Sequence, residues 1–290
     1  MKTSTEIWSS ASVVGEEKAV ELVAKAGFDA WDFSMFEMAR IDWSTWTLLD
    51  KPHALNGNDY VKFAKTLRKI GEDNGIYCNQ SHAPFPSLVP GMKTFLKRAI
   101  ECTAIAGGEI CIIHPDNNQN AEQNAEFYME LLPFAKEHGV KIATENMWNW
   151  KKDAPTACSA ACSHHDDFVK HIKTVNDPYF VACLDIGHAE MAGLDTTAPT
   201  MIKALGSALQ ALHIHDNDKL GDSHQIPFSM KIDWNSVAKA LKETNYKGHL
   251  TLEADRYVAS TGASDEQSTL KALKDLHNAV TRLDDLIKNS

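Results

Sequence analysis

The residues best suited to chemistry in this sequence are carboxylates and imidazoles that each follow a short apolar run. These side chains bind divalent metal ions, and an ionised carboxylate at the end of a buried strand is costly unless it is paired or ligated. Six consecutive apolar runs end in such groups, at His82, His114, Glu145, Asp185 with His188, His213 with His215 and Asp216, and Glu253. This recurrence predicts a metal centre that gathers side chains from several strands.

The apolar runs are the predicted strands of a repeating β/α pattern. They are Glu6–Trp8, Phe28–Phe33, Ile76–Gln80, Glu109–His114, Val140–Glu145, Phe180–Asp185, Ala211–His215 and His249–Glu253. Eight βα units in 290 residues predict a single domain, residues 1–290, folded as a (β/α)8 TIM barrel. In this fold the carboxyl ends of all strands share one rim, which would bring the metal-capable residues together.

The clearest helix signals lie after Asp59, after Asp233 and near the C-terminus. The last helix is predicted from an apolar stripe at Leu270, Leu273, Leu276, Val280, Leu283 and Ile287. Ser264 and Gln267 precede it at capping-box spacing. An open doubly wound sheet is the alternative architecture, but the first strand is followed by Ser9-Ser10-Ala11-Ser12 and not by a glycine-rich phosphate loop.

Composition narrows the class of protein. The chain has 29 Lys and Arg against 39 Asp and Glu, a formal charge of −10 that disfavours a nucleic-acid partner. No apolar run reaches the roughly 20 residues of a membrane span, and MKTSTEIWSS lacks the apolar stretch of a secretory signal. Six cysteines without a C-x-x-C pair suit reduced thiols. We therefore expect a cytoplasmic enzyme without a membrane partner. The sequence does not decide whether the chain forms a homo-oligomer.

Two tryptophan-rich loops are predicted at the rim. Asn146–His165 is long for a βα loop and contains Trp148 and Trp150, and Trp43–Trp46 follows the second strand. Aromatic rings at a barrel mouth suit the apolar face of a sugar, so we expect Trp148 to contact substrate; tryptophans that only pack the loops would give the same pattern. An alternative zinc site of non-standard spacing, C-x3-C-x-H-H, lies at Cys158, Cys162, His164 and His165.

The strand-end motifs QSHAPF, CIIHPD, IATEN, CLDIGH, LHIHDND and LTLEAD resemble those of the xylose-isomerase-like barrel superfamily. This superfamily contains sugar isomerases, ketose 3-epimerases, inosose dehydratases and isomerases, and the endonuclease IV branch. The resemblance covers nearly the whole chain and implies one divalent ion bound by Glu145, Asp185, His213 and Glu253. Strand alternation puts His213 and His215 on the same side. The family segment H-x-x-D/E-N selects His213 as the ligand.

The resemblance also implies roles for other residues at the rim. His188, three residues after Asp185, would contact substrate, and Asp216 would have a supporting role. With the rim tryptophan, the expected substrate-binding set is His82, His114, His188, Asp216, His224 and Trp148. Three carboxylates and one imidazole form a mostly hard site, which favours Mn2+ or Mg2+ over Co2+ and Zn2+.

The expected reaction is isomerisation or epimerisation of a small carbohydrate, a ketose or a keto-inositol. A divalent ion beside a carbonyl acidifies the neighbouring C–H bond and stabilises the enediolate. The family mechanism implies that one of Glu145 and Glu253 removes a proton and the other returns one to the opposite face. A dehydratase or lyase on the same metal site is an alternative. A sugar-binding barrel without catalysis is another, but it would need no opposed carboxylates.

An endonuclease IV-like phosphodiesterase that acts on abasic DNA with three zinc ions is a further alternative. Its ligand types match His82, His114, Glu145, Asp185, His188, His213, Asp222, His224 and Glu253. The acidic balance and the absence of basic clusters in the rim loops count against it. The chain also departs from sugar-acting relatives: Pro227–Trp234 lacks both glycines of P-G-x-G-x-I-D-W, and Asp32 replaces a common Glu.

Overall fold

The computed structural model describes all 290 residues and is organised around one eight-stranded parallel sheet. The barrel strands are β1 Thr3–Glu6, β2 Ala30–Ser34, β3 Tyr77–His82, β4 Ile110–Ile112, β5 Lys141–Glu145, β6 Phe180–Asp185, β7 Leu209–His213 and β8 Leu250–Leu252. Each strand from β1 to β6 pairs with the next in the chain, and β8 pairs with β1. Residues along β6 are buried without exception, as expected for a parallel strand covered on both faces.

The barrel closes between β7 and β8 through a short backbone seam. Ile214 bridges to Leu252, and its amide donates to the Thr251 carbonyl at 3.0 Å. The Glu253 amide donates in turn to the Ile214 carbonyl at 3.0 Å. These contacts complete the (β/α)8 barrel predicted from the sequence and exclude the open doubly wound sheet.

Helices cover the outside of the sheet and parts of its rim. They are α1 Trp8–Val14, α2 Glu16–Ala26, α3 Tyr60–Asp73, α4 Met92–Ala106, α5 Ala121–Glu137, α6 His165–Val175, α7 Ile186–Ala189, α8 Ala198–Leu205, α9 Trp234–Glu243, α10 Asp255–Ser260 and α11 Glu266–Asn289, with 3-10 turns at Phe36–Met38 and Gly206–Ala208. The predicted start after Asp59 is confirmed by α3. Asp233 accepts the amides of Asn235 and Ser236 and caps α9, also as predicted. None of these helices combines the length and hydropathy that crossing a bilayer requires.

Some predicted boundaries are wrong for local reasons. The first strand was predicted as Glu6–Trp8 but spans Thr3–Glu6, and Trp8 already begins α1. The strand ends at Glu6 because its carboxylate accepts the Ser9 amide at 3.0 Å in the first turn of α1. The last helix starts one residue later than expected, with a capping box formed by Asp265 and Ser268.

The seventh strand was predicted as Ala211–His215, but its ladder with β6 ends at His213. Beyond that point the chain pairs with β8 instead, through Ile214. The fourth strand is also shorter than the predicted Glu109–His114 segment.

A short hairpin projects from the rim after β2. Its antiparallel strands are Ile41–Asp42 and Thr47–Leu48. Trp43 and Trp46 lie at its tip, 63% and 43% exposed, with ring centroids 5.9 Å apart. These tryptophans lie at the rim, as expected from the sequence. The hairpin itself was not predicted, because strands of two residues are too short to show an alternating pattern.

The apolar core lies mainly between the sheet and the helices. Inside the barrel there is only a small apolar cluster, formed by Ile112, Ala143, Val181, Cys183 and Ala211. Much of the remaining interior is filled by hydrogen-bonded polar side chains from β1, β3 and β8. The barrel interior is therefore more polar than the branched apolar layers typical of this fold.

Candidate metal centre

The carboxyl ends of four consecutive strands bring together the four predicted ligands. Glu145 ends β5, Asp185 ends β6, His213 ends β7, and Glu253 follows β8 directly. Asp185 and His213 are register partners in the sheet. Each of the four residues is at most 7% exposed. Three buried carboxylates in one place are stable only if opposite charges or hydrogen-bond donors compensate them.

His213 links two of these carboxylates to a third acid. Its Nδ1 lies 3.0 Å from Glu145 Oε2 and 3.3 Å from Glu253 Oε2. Its Nε2 lies 3.5 Å from Oδ2 of Asp32, at β2. The Nδ1 atom and both Glu145 oxygens are buried and make no hydrogen bond of acceptable geometry. Buried polar atoms without partners are rare, and a cation would satisfy all three.

Asp185 contacts a different set of histidines. Its Oδ1 accepts the His188 amide at 2.6 Å, which caps α7, and lies 3.1 Å from His215 Nε2. The Asn146 side chain exchanges two hydrogen bonds, at 2.8 and 2.9 Å, with the Asp185 backbone and joins the ends of β5 and β6. Oδ2 of Asp185 is buried without a partner and is thus a free donor atom for a cation.

A second cluster of metal-capable atoms lies beside Asp185. The ligand atoms of His188, His215, Asp222 and His224 all lie within 4.8 Å of one another. Asp222 Oδ2 is 3.1 Å from His224 Nε2 and 3.5 Å from His188 Nε2. The rings of His215 and His224 stack with centroids 3.9 Å apart. The structure therefore brings two of the expected substrate-binding histidines together with an aspartate.

A third cluster lies on the other side of Glu145, at the ends of β3 and β4. His114 Nε2 is 3.4 Å from Glu145 Oε2, and His82 Nε2 is 3.9 Å from the same oxygen. His82 Nε2 also lies 3.7 Å from Oε1 of Glu253. The nine residues matched to the endonuclease IV ligands therefore all lie in adjoining clusters along one rim.

The charges in this cluster shift several pKa values in the metal-free protein. Burial alone would raise the pKa of Glu145, but the imidazoles of His213 and His114 hold it well below its ordinary range. Burial raises the pKa of Glu253 well above its usual value, and the Glu145 carboxylate adds to this shift. Burial opposes the charged form of His188, yet the neighbouring carboxylates raise its pKa to about 10. Two glutamates at one histidine thus differ in proton affinity, an arrangement typical of acid–base pairs.

A cavity of about 720 Å³ opens above the clusters. Its polar floor includes His82, His114, Glu145, His188, Asp222, His224 and Glu253. Aromatic side chains line the walls, among them Trp8, Phe36, Trp43, Phe85 and Trp148. Trp148 thus lies in the cavity, at the rim position expected from the sequence. A polar floor between aromatic walls suits a small polyhydroxylated molecule.

Asp216 lies behind the cavity and does not line it. Its carboxylate accepts the backbone amides of Asn217, Met230 and Ile232 and the indole N–H of Trp234, at 2.9 to 3.2 Å. The residue is fully buried. With these four donors, Asp216 orders the loop after β7, which corrects the expectation that it binds substrate.

The C-x3-C-x-H-H segment has separate local roles. Cys162 is buried in the main core, whereas Cys158 forms an antiparallel bridge with Asn149 in the rim loop. His164 accepts the Asp166 amide at the start of α6. The two histidines of this segment gather with the exposed Asp166. Exposed groups of this kind are common without a metal ion.

Some residues at the centre were not predicted. Cys183 groups with Glu145 and His213, and burial raises its thiol pKa to about 12. Strand alternation puts Cys183 on the same side as Asp185 and could have indicated this position. The contact of Asp32 with His213 has no sequence signal, because β2 and β7 are not adjacent strands.

Residues 20–276 match the family model described as the xylose isomerase-like TIM barrel. The chain therefore belongs to the xylose isomerase-like TIM barrel family. An uncharacterised protein of Methanocaldococcus jannaschii is 24% identical over 253 residues, which cover 81% of this chain and 78% of that protein. An uncharacterised protein of Sinorhizobium fredii is 24% identical over 192 residues, 62% of this chain and 58% of its own length.

Several solved structures share the fold over nearly their whole length. L-ribulose 3-epimerase has a TM-score of 0.71 at 14% identity and covers 100% of this chain and 96% of its own. A D-tagatose 3-epimerase-like protein has a TM-score of 0.69 at 18% identity, with coverage of 98% and 99%. The IolI protein, solved with a bound zinc atom, has a TM-score of 0.69 at 15% identity, with coverage of 100% and 99%. At these identities the similarity establishes the fold.

Proposed function

We propose that this protein is a divalent-metal-dependent isomerase or epimerase of a small carbohydrate, a ketose or a keto-inositol. One observation carries the proposal: Glu145 and Glu253 converge on His213 at the floor of a cavity with aromatic walls. A pair of buried carboxylates on one reaction site is suited to removing a proton on one face of a carbon and returning one on the other face. The 3-epimerases among the similar structures support the same substrate class.

The proposed metal ligands are Glu145, Asp185, His213 and Glu253. The residues fit a cation because unpartnered donor atoms of three of them are buried at the same rim. The oxygen-rich donor set favours Mn2+ or Mg2+ and also admits Co2+, and the zinc atom in the IolI structure keeps Zn2+ among the candidates. When bound, the ion would supply Lewis-acid stabilisation of the negative charge that develops on substrate oxygen atoms.

Glu145 and Glu253 are the proposed proton-transfer groups. A carboxylate oxygen of one removes the proton from the carbon beside the substrate carbonyl, and the carboxyl group of the other returns a proton. Return to the opposite face of that carbon inverts it and gives an epimer. Return to the neighbouring carbon, with transfer of the hydroxyl proton between the two substrate oxygens, gives an isomer.

His188 is the proposed hydrogen-bonding partner of a substrate oxygen. Its Nδ1 lies 2.9 Å from the Asn146 carbonyl, a contact in which the ring donates, and this fixes the ring orientation. Its Nε2 edge lies toward Asp222 at the cavity floor. Trp148 provides an apolar surface, and His82, His114 and His224 provide further polar contacts.

Exchange of carbon-bound hydrogen with solvent deuterium tests the proposal. The Mn2+-loaded protein, incubated in D2O with a panel of ketoses and inososes, should incorporate deuterium into at least one recovered substrate or product. Loss of water from the substrate instead of a change in configuration would identify the dehydratase or lyase alternative. Failure of every sugar in the panel to exchange would overturn the proposal.

A zinc phosphodiesterase of the endonuclease IV type is the second candidate. It is favoured by the second cluster beside the proposed ligands, which includes His188, Asp222 and His224. An enzyme that binds a single metal ion does not need a second group of side chains able to bind one. The acidic charge of the chain counts against a DNA partner. Elemental analysis of protein purified without chelator distinguishes the two. We expect about one divalent ion per chain and no cleavage of an abasic duplex, whereas three zinc ions with cleavage would favour the nuclease.

A further inference from the structure

A chain of hydrogen-bonded polar side chains crosses the barrel interior below the proposed metal centre. Ser4 donates to Asn79 Oδ1 at 2.6 Å, and Asn79 Nδ2 donates to Thr251 Oγ1 at 3.1 Å. The Thr251 hydroxyl donates to Gln80 Oε1 at 3.3 Å, and Gln80 Nε2 donates to Asp32 Oδ2 at 2.8 Å. All five side chains belong to buried residues. The chain ends at the oxygen of Asp32 that faces His213.

This polar chain replaces apolar packing in the middle of the barrel. Buried polar groups cost free energy unless their hydrogen bonds are made, so such a network suggests a role beyond packing. Asp32 is a particularly costly member, because it is a carboxylate of 1% exposure and its only ion-pair contact is the His213 ring. No lysine or arginine compensates its charge.

The two nitrogens of His213 have different surroundings. Nε2 faces the Asp32 carboxylate, which accepts hydrogen bonds and donates none. Nδ1 faces Glu145 and Glu253 and makes no hydrogen bond of acceptable geometry. A neutral imidazole has one N–H and one lone pair, and the hydrogen bond at one nitrogen decides which is which.

We propose that Asp32 is a positioning residue for the metal centre. It accepts the Nε2–H of His213, which keeps the Nδ1 lone pair free for a cation, and Gln80 holds Asp32 in the required orientation. The inference rests on the proposed function, because it takes His213 as a metal ligand. An outer carboxylate of this kind typically changes metal affinity by ~10 to 100-fold when it is removed.

Substitution of Asp32 by Asn tests the proposal at nearly constant shape. The amide can donate to Nε2 of His213 and so favours a proton on Nδ1, where the cation should bind. We expect the affinity for Mn2+, measured by competition with a chelator, to fall ~10 to 100-fold. Ser4→Ala is the matched control, since it breaks the far end of the same network without touching His213; its affinity should stay unchanged. Circular dichroism verifies that both variants fold.

A spectroscopic measurement on the unmodified protein makes the test independent of variant folding. In Zn2+-loaded protein with 15N-labelled histidine, long-range 1H–15N spectra should show His213 with the metal on Nδ1 and a proton on Nε2. A proton-free Nε2, or Asp32→Asn with wild-type affinity, would overturn this inference while leaving the proposed function intact. A wild-type protein that binds no divalent ion would overturn both.

Discussion

His213 and His215, two residues apart at the end of β7, contact different acids. His213 Nδ1 lies 3.0 Å from Glu145, whereas His215 Nε2 lies 3.1 Å from Asp185. The His215 ring also fills the space beside Gly187, where any β-carbon would overlap it. His213 therefore contacts the glutamates at the ends of β5 and β8, whereas His215 contacts the aspartate at the end of β6.

This division predicts unequal effects of removing the two imidazoles. His213→Ala should abolish binding of the proposed single ion, because it removes the ligand between Glu145 and Glu253. His215→Ala should leave occupancy largely intact, since Asp185 is also held by the His188 amide and by Asn146. Calorimetric titration with Mn2+ measures both. The reverse order would show that His215 is the ligand.

The proposed proton transfers predict losses of turnover in both glutamine variants. Glu145→Gln and Glu253→Gln keep the side-chain shape and one oxygen atom, but they remove the basic carboxylate. We expect each variant to lose at least about a hundredfold in rate at saturating metal, the range typical of a lost general base. Rate and deuterium incorporation are measured together on the identified sugar. Wild-type rates in both variants would exclude this mechanism.

Glu6 predicts a specific pH dependence of stability. Burial, with the nearby Asp255 carboxylate, raises the pKa of Glu6 from 4.5 to about 7. Between these pH values the folded protein binds more protons than the unfolded chain, so this group's contribution to stability falls as pH rises. Glu6→Gln should therefore be more stable than the wild type above pH 7, by up to about 3 kcal/mol, and the difference should shrink toward pH 4.5.

Urea unfolding of the metal-free proteins from pH 4.5 to pH 8 measures this difference. Glu17→Gln, at an exposed position in α2, is the matched control and should show little difference at any pH. A stability difference between Glu6→Gln and wild type that does not change with pH would contradict the assignment to Glu6.

Asp216 predicts a structural defect instead of a loss of substrate contact. An asparagine can accept at only one atom, so Asp216→Asn leaves some of the four buried donors without a partner. We expect the free energy of unfolding to fall by about 1 to 3 kcal/mol, measured with urea. Asp153→Asn, on the exposed rim loop, should be neutral. A stable Asp216→Asn with a raised KM would restore the role in substrate binding.

The barrel was predictable because its elements repeat a strong local pattern. The run Phe180–Asp185 has the predicted bounds, since an apolar strand buried on both faces ends sharply at an acid. Boundaries failed where a local side-chain hydrogen bond or a contact between distant strands decides them. Glu6 ends its strand through a hydrogen bond to Ser9, and Ile214 leaves the β6 ladder to pair with β8.

The residues of the centre were predictable in type but not in their contacts. The family resemblance implied Glu145, Asp185, His213 and Glu253 as ligands, and the rule that strand ends share a rim indicated only that such residues lie together. It could not show which acid each histidine meets, because those distances depend on loop geometry and on contacts across the barrel. Asp216 illustrates the same limit: its position after β7 is predictable, whereas three of its four donors come from residues 14 to 18 positions further on.

The seam between β7 and β8 has a mechanical consequence. It is fastened by two backbone hydrogen bonds at Ile214, and the proposed ligands His213 and Glu253 flank it on either side. A cation bound to both residues would cross-link the two strands that close the barrel. Metal binding would therefore also stabilise the closed barrel against local opening at this contact. Amide hydrogen exchange at Ile214 and Glu253 would then slow on metal addition, while strands on the far side of the barrel would keep their protection.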